Sequence, residues 1–314
     1  MGFVGTVAGM TSRPEKLALL DSASLYFRAF YGMKDTVLAP DGTPVNAVRG
    51  FVDSIARLIT DHGPTRLVCC WDDDWRPEFR VAAIPSYKAH RVADAAENAE
   101  EVPDELSPQV PIIVEVLEAF GLARVGSPGY EADDVIGTLA TRAAVPVDVV
   151  TGDRDLFQLV DDARGIRVIY TGRGMSNLEV LDEASVTAKY RVLPSQYADY
   201  AVLRGDASDG LPGVAGIGEK TAATLLAAHG DLAGIRAAAE AGDGMTAGIR
   251  AKLLAAADYL AVAPTVVEVV RTLDLPDVDA RLRTPDAAVT AALATEWNLG
   301  SSLDRAVTAI SARS

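Results

Sequence analysis

Eleven carboxylates fall into five short clusters: Asp21; Asp72, Asp73 and Asp74; Glu131, Asp133 and Asp134; Asp153 and Asp155; Asp206 and Asp209. Most of these clusters close an apolar run, which scattered surface charge does not do. Carboxylates gathered at one end of a fold repel one another and need a cation, and hard divalent ions such as Mg²⁺ are the usual partner of an all-oxygen site. The chemistry this suggests is metal-dependent attack on a phosphate ester.

Each cluster also has a structural reading. Glu131, Asp133 and Asp134 sit in the first turn of a helix, where Glu131 and Asp134 share a face and Asp133 points elsewhere. Acids in a first turn favour the helix dipole, which accounts for one or two of them but not readily for three. Asp153 ends a strand and Asp155 suits the cap of the next helix, while Asp206 and Asp209 in GDASDG resemble turn formers. Taken singly, each cluster is as readily structural as functional; together they favour metal binding.

The elements that must position these groups alternate along the chain. KLALLD (16–21), RLVCCWD (66–72), VDVVTGD (147–153) and GIRVIY (165–170) read as buried parallel strands. Helical patterns cover 47–62, 108–120 and 130–144, so the class is α/β. The clusters beginning at Asp21, Asp72 and Asp153 then fall at the carboxyl ends of strands, where open α/β sheets place their sites. From about Pro194 the chain turns to Ala-rich helices, with no strand signal until a mixed segment after Pro264. LPSQYADYAVLRGDASDG reads as a helix ending near Gly205, and GVAGIGEKTAATLLAAHG as a glycine hairpin entering a helix at Gly218. Exposed amides at such a hairpin and helix start make an anion site suited to a DNA phosphate.

At 314 residues and 49% hydrophobic, the chain can bury a large core beside a smaller one. No apolar run is long enough to span a membrane, no leader pattern opens the chain, and residues 1–15 read as a flexible tail. Cys69 and Cys70 are adjacent, which strains a disulfide and suits no metal site, so they read as buried thiols of a cytoplasmic protein. A net charge of −15 argues at first against nucleic acid, but its distribution is uneven. The stretch 76–91 holds Arg76, Arg80, Lys88 and Arg91 against Glu78, with Tyr87 and His90; the following stretch 92–105 has six acids and no base.

The motifs YEADDVIGTLA, VVTGDRDLFQLV and LRGDASDGLPGVAGIGEKTAATLL, with WDDDWRPEFRVAAIPSYKAHR and LLDSASLYFRAF, closely resemble the bacterial 5′-3′ exonuclease and flap endonuclease family. That family includes the N-terminal nuclease domain of DNA polymerase I, and the resemblance runs in order from about residue 16 to 275. It implies a PIN-like core with a mostly parallel sheet over 16–193, including an arch at about 73–105. A helix-three-turn-helix subdomain is implied over 194–262, and a segment 263–314 packing back on the core.

Position by position, the family's acidic set falls on Asp21, Asp72, Glu131, Asp133, Asp134, Asp153, Asp155, Asp206 and Asp209, which implies metal binding there. Asp73 and Asp74 lie outside it, and Asp74 is expected to face solvent. Tyr87, Lys88 and Arg91 match the arch base and Arg28 the basic residue near the first aspartate, implying catalytic roles. Arg80, Gly213, Gly216, Gly218, Lys220 and Thr221 are implied DNA contacts, and the carbonyls of Val214 and Ile217 a K⁺ site. Ser22 replaces a common glycine, and Gly210 replaces the asparagine usual after this Ser-Asp pair.

The implied activity is hydrolysis of 5′-flap or 5′-ended duplex DNA in replication and repair, with two Mg²⁺ or Mn²⁺ ions about 3.5 to 4 Å apart. Asp133, Asp134, Asp153, Asp155 and Asp209 lead the expected ligands, with Asp21 and Asp72 acting through water. The 92–105 stretch is expected to span the arch and to be mobile without DNA. The chain is expected to be a monomer, and either a stand-alone nuclease or an excised domain. A catalytically silent DNA-structure binder and a PIN-type ribonuclease are the rivals; the full acidic set opposes the first, the hairpin and arch motifs the second.

Overall fold

A computed structural model describes residues 14–33, 37–92 and 100–314. Six strands form one sheet: β1 (Leu17–Asp21), β2 (Arg66–Cys70), β3 (Ala123–Val125), β4 (Val147–Thr151), β5 (Ile166–Tyr170) and β6 (Glu179–Leu181). Their order is β3-β2-β1-β4-β5-β6, and all neighbours are parallel except β5 and β6. The four long apolar runs are therefore strands, as their composition requires of a sheet covered on both faces. β2 ends at Cys70 and β4 at Thr151, so Asp72 and Asp153 stand in the loops just beyond. β3 and β6 have three residues each, too few to show a periodic signal.

Thirteen helices of the described residues surround the sheet. In the core they are α1 (Ser22–Gly32), α2 (Asn46–His62), α3 (Glu78–Ala83), α4 (Gln109–Ala119), α5 (Ala132–Arg142) and α6 (Glu183–Tyr190). Then follow α7 (Tyr197–Arg204), α8 (Glu219–His229), α9 (Leu232–Ala241), α10 (Ala247–Ala255), α11 (Ala257–Val267), α12 (Ala287–Glu296) and α13 (Gly300–Ser311). Alternation along the strands divides the core. Leu19, Val68 and Cys70 face a layer built on α5 and the helical subdomain, whereas Ala18, Leu20 and Cys69 face one built on α2, α4 and α13. The adjacent thiols thus point to opposite sides of the sheet, which excludes a bond between them.

The boundary expected at 262/263 falls inside α11, which runs through Pro264 to Val267. The mixed segment after it forms no strand ladder. Side chains of the core answer its backbone instead: Val269 N–H donates to Gln158, Val270 N–H to Asp134 and Leu273 N–H to Thr138. Further on, Leu67 N–H donates to Ala280 and Leu282 N–H to Thr65, tying the segment to the start of β2. Leu299, Leu303, Ala306 and Ile310 then close the apolar face of α2. Among the described residues no helix is long and apolar enough to cross a membrane. Most of the expected tail, 1–13, and the middle of the acidic stretch, 93–99, lie outside the described residues.

Candidate active site

The order β2-β1-β4 sets the carboxyl ends of three neighbouring strands side by side, and each delivers an aspartate: Asp72, Asp21 and Asp153. The start of α5 brings Asp133. With Glu131 these acids line a cleft of about 520 Å³, whose other walls carry Phe27, Tyr31, Trp75, Lys88, His90 and Arg91.

Short local bonds fix the acids. Asp21 caps α1 by accepting from Ser24 N–H at 3.1 Å, and its other oxygen accepts from Thr151 Oγ1 at 2.7 Å. Asp72 accepts from Ala132 N–H at 2.7 Å, at the positive end of α5. Asp153 accepts from Asp155 N–H at 2.8 Å, and Asp155 is the first residue of the following 3₁₀ helix instead of its cap. Asp155 and Asp209 lie beside Asp153, close enough for the three to repel one another.

None of Asp21, Asp72, Asp133, Asp153 and Asp155 makes an ion pair among the described residues. Burial, with repulsion from Asp72, lifts the Asp21 carboxyl to about 7. Burial lifts Asp72 to about 6 despite the Ala132 amide, and raises Asp133 and Asp155 well above the carboxylate range with help from Asp153. Asp209 reaches about 6 through burial and Asp153, although Arg91 Nη2 pairs with it at 3.1 Å. A set of hard oxygen donors held against its own repulsion fits a divalent cation. Among the described residues no three His, Cys, Asp or Glu converge tightly enough to enclose an ion unaided. An ion there would complete its shell with water or substrate oxygens, as Mg²⁺ commonly does.

The other acids are neutralised from within. Arg80, 2% exposed, forks onto Asp134 at 2.7 and 2.9 Å, pairs with Glu131, and donates through Nε to Val266 O at 3.1 Å. Tyr87 Oη donates to Glu131 at 2.7 Å and the Lys88 ammonium also pairs with Glu131. Burial works against the Glu131 charge, yet Lys88 and Arg80 hold its carboxyl below the usual range. Two of the expected residues are occupied within the fold. Arg80, expected at DNA, is sealed in the interior by Glu131, Asp134 and Val266 O. Asp134 is filled by Arg80 and by the Val270 and Glu131 amides, so it braces the fold instead of facing the cleft. Asp206 is similarly compensated, with Arg204 at 3.1 Å, Arg154 at 3.7 Å and the Ser208 amide at 2.9 Å.

Asp73 is exposed, and Asp74 accepts from Arg76 N–H at 3.1 Å in a local turn; neither lines the cleft. Arg76 itself supports the segment 85–87, donating to Tyr87 O and Pro85 O. Arg28 is half-buried beside Gly152, and its Nε has no hydrogen-bond partner. Sequence reasoning missed Arg154, although it stands between two singled-out aspartates. It also did not single out Glu100 and Glu101, which line the cleft from within the stretch expected to span the arch.

The hairpin before α8 depends on glycine at one point above all. Gly213 has φ 65°, and a Cβ there would stand 2.5 Å from Arg204 O. Gly218 caps α8, and Gly216, Gly218 and Lys220 are exposed, with Thr221 half-buried. The Val214 carbonyl accepts from Ile217 N–H at 2.9 Å, and Gly216 O accepts from the Lys252 ammonium at 3.0 Å.

Residues 16–191 match the family described as 5′-3′ exonuclease, N-terminal resolvase-like domain, and residues 192–288 match 5′-3′ exonuclease, C-terminal SAM fold. A 5′-3′ exonuclease of Streptomyces coelicolor is 60% identical over 94% of this chain and 100% of its own length. One from Mycobacterium tuberculosis is 53% identical over 92% and 96%. The solved structure of T5 5′-exonuclease with bound zinc shares the fold, with a TM-score of 0.62 at 18% identity over 94% of this chain and 98% of that one. The catalytic core of Rad2 in complex with DNA substrate gives 0.59 at 18% identity over 94% and 92%. With both domains of one family matched end to end across residues 16–288, the chain belongs to the 5′-3′ exonuclease family.

Proposed function

We propose that this protein is a divalent-metal-dependent 5′ nuclease that hydrolyses phosphodiesters in 5′-flap or 5′-ended duplex DNA, acting as a cytoplasmic monomer in replication and repair. One observation carries the reading: carboxylates without ion-pair partners from three adjacent strand ends and α5 meet in a cleft whose wall holds Lys88 and Arg91. Asp133, Asp153, Asp155 and Asp209 would hold Mg²⁺ or Mn²⁺, with Asp21 and Asp72 binding through water. Held there, two such ions would supply activation of water and stabilisation of the leaving oxygen. Lys88 and Arg91 donate to the phosphoryl oxygens and offset charge developing there. Tyr87 and Glu131 hold the Lys88 ammonium in place. Arg28, with an unpartnered Nε beside the β4 end, is a further phosphate donor.

The amides at Gly216 and Gly218, with Lys220 and Thr221, suit the phosphates of the duplex. The Val214 and Ile217 carbonyls are the proposed K⁺ ligands, beside the carbonyl that receives Lys252. The deciding experiment incubates the protein and Asp155→Asn with 5′-flap DNA in Mg²⁺, in Mn²⁺ and in chelator. Cleavage by the wild type in metal alone, lost in the variant, is expected. Cleavage that survives chelation would rule out the metal reading, and tight flap binding without cleavage in any metal would make the protein a silent binder.

A further inference from the structure

The 3₁₀ turn Ala207–Asp209 and the Gly210 that follows it are bound to the arch base through three consecutive carbonyls. Ser208 O accepts from Arg91 Nη2 at 2.9 Å, Asp209 O from the Lys88 amide at 3.0 Å, and Gly210 O from Ser86 Oγ at 2.8 Å. The two backbones approach so closely that a Cβ on Gly210 would stand 2.1 Å from the Ser86 carbonyl oxygen. Asparagine tolerates the left-handed backbone that Gly210 adopts at φ 71°, so conformation alone does not demand glycine; the Ser86 carbonyl does. Across the contact, Lys88 also lies in the left-handed region, at φ 47°. Its amide is thereby held on the turn while its ammonium reaches Glu131 in the cleft.

We propose that Ser86 and Gly210 form a positioning latch, through which the helical subdomain aims Lys88 and Arg91 into the cleft before DNA arrives. Gly210 makes the close approach possible and the three carbonyls hold it. The hairpin over 213–218 follows the turn directly, so a shift of the hairpin moves the atoms from which Lys88 and Arg91 hang. Neither Ser86 nor Gly210 touches the reacting atoms. The latch rests on the reading of Lys88 and Arg91 as phosphate donors, and one arm of its test is independent of that reading.

The test compares wild type with Gly210→Ala and Ser86→Ala. In the DNA-free protein, hydrogen exchange at the Lys88 amide should be slow in wild type, about tenfold faster in Gly210→Ala and a few-fold faster in Ser86→Ala, with β1 and β4 unchanged. At saturating flap DNA and Mg²⁺, single-turnover cleavage by Gly210→Ala should fall about tenfold while Kd for flapless duplex changes less than about twofold. That split separates positioning from a general loss of structure. An unprotected Lys88 amide in the wild type would overturn the latch, as would variants that keep both its protection and full cleavage. Should Gly210→Ala fail to fold, Ser86→Ala decides alone, and unchanged exchange at Lys88 overturns the proposal. A wild type that cuts no DNA would count against the functional reading, while the exchange measurement still decides the latch.

Discussion

Asp134 and Asp133 are neighbours in the same helical turn and carry the same charge, yet they belong to opposite halves of the site. Asp134, with Glu131, is locked to a buried arginine; Asp133 faces Asp153 and Asp21 with no ion pair. The same division separates Asp206, held by two arginines, from Asp155, held by none. In one half the protein supplies its own cations and gains rigidity. In the other it stores repulsion that a proton or an external cation relieves. An acidic motif therefore does two jobs at once, and counting its carboxylates overstates the number free to hold metal.

Substitutions that treat the halves alike would break this distinction. The largest effect is expected from Asp133→Asn, which should lower flap cleavage by about 10⁴-fold, or roughly 5 kcal/mol of barrier. Its urea unfolding free energy should stay within about 1 kcal/mol of wild type, because the neutral amide removes repulsion. Arg80→Ala should show the reverse emphasis. Stripping the cation from buried Glu131 and Asp134 should cost about 3 to 5 kcal/mol in the same unfolding assay. Equal losses of stability in the two variants would erase the division.

A smaller effect sharpens it. Because Asp21 titrates at about 7 in the folded chain against 3.8 unfolded, the folded state binds the extra proton below pH 7. Stability of the metal-free protein should thus fall as pH rises from 6 to 8, by about 1 kcal/mol from this group alone. Saturating Mg²⁺ should remove that slope, and a thermal denaturation series at several pH values checks it; a slope unaffected by metal would place the repulsion elsewhere. The smallest effect lies outside both halves. Lys220→Ala at the hairpin should weaken duplex binding about threefold and lower its salt dependence by about one ion, without changing the cleavage rate at saturation.

The strand ends that frame the cleft were legible because buried parallel strands are uninterrupted apolar runs, and an aspartate closing such a run is conspicuous. The glycine hairpin was legible for a similar local reason. The division of the acids was not. Arg80 reaches Asp134 only because α3 docks against α11, where its Nε meets Val266 O across 186 residues of sequence. Arg154 likewise finds Asp206 through packing of the subdomain on the core, whereas Arg204 stands only two residues away from it. Glu100 and Glu101 carry no motif of their own and face the cleft where Glu101 N–H pairs with Arg91 O. Charge type is written locally, but the partner of a charge is a property of the tertiary fold.

Cys69 and Cys70 have a practical consequence. Adjacent in the chain and both buried, they open into two different hydrophobic layers. A thiol reagent acting on the native protein therefore samples the opening of each layer separately, once either cysteine is replaced by alanine. Two neighbouring atoms of sulfur become paired gauges of whether the α2–α13 side of the sheet and the α5 side loosen together or independently.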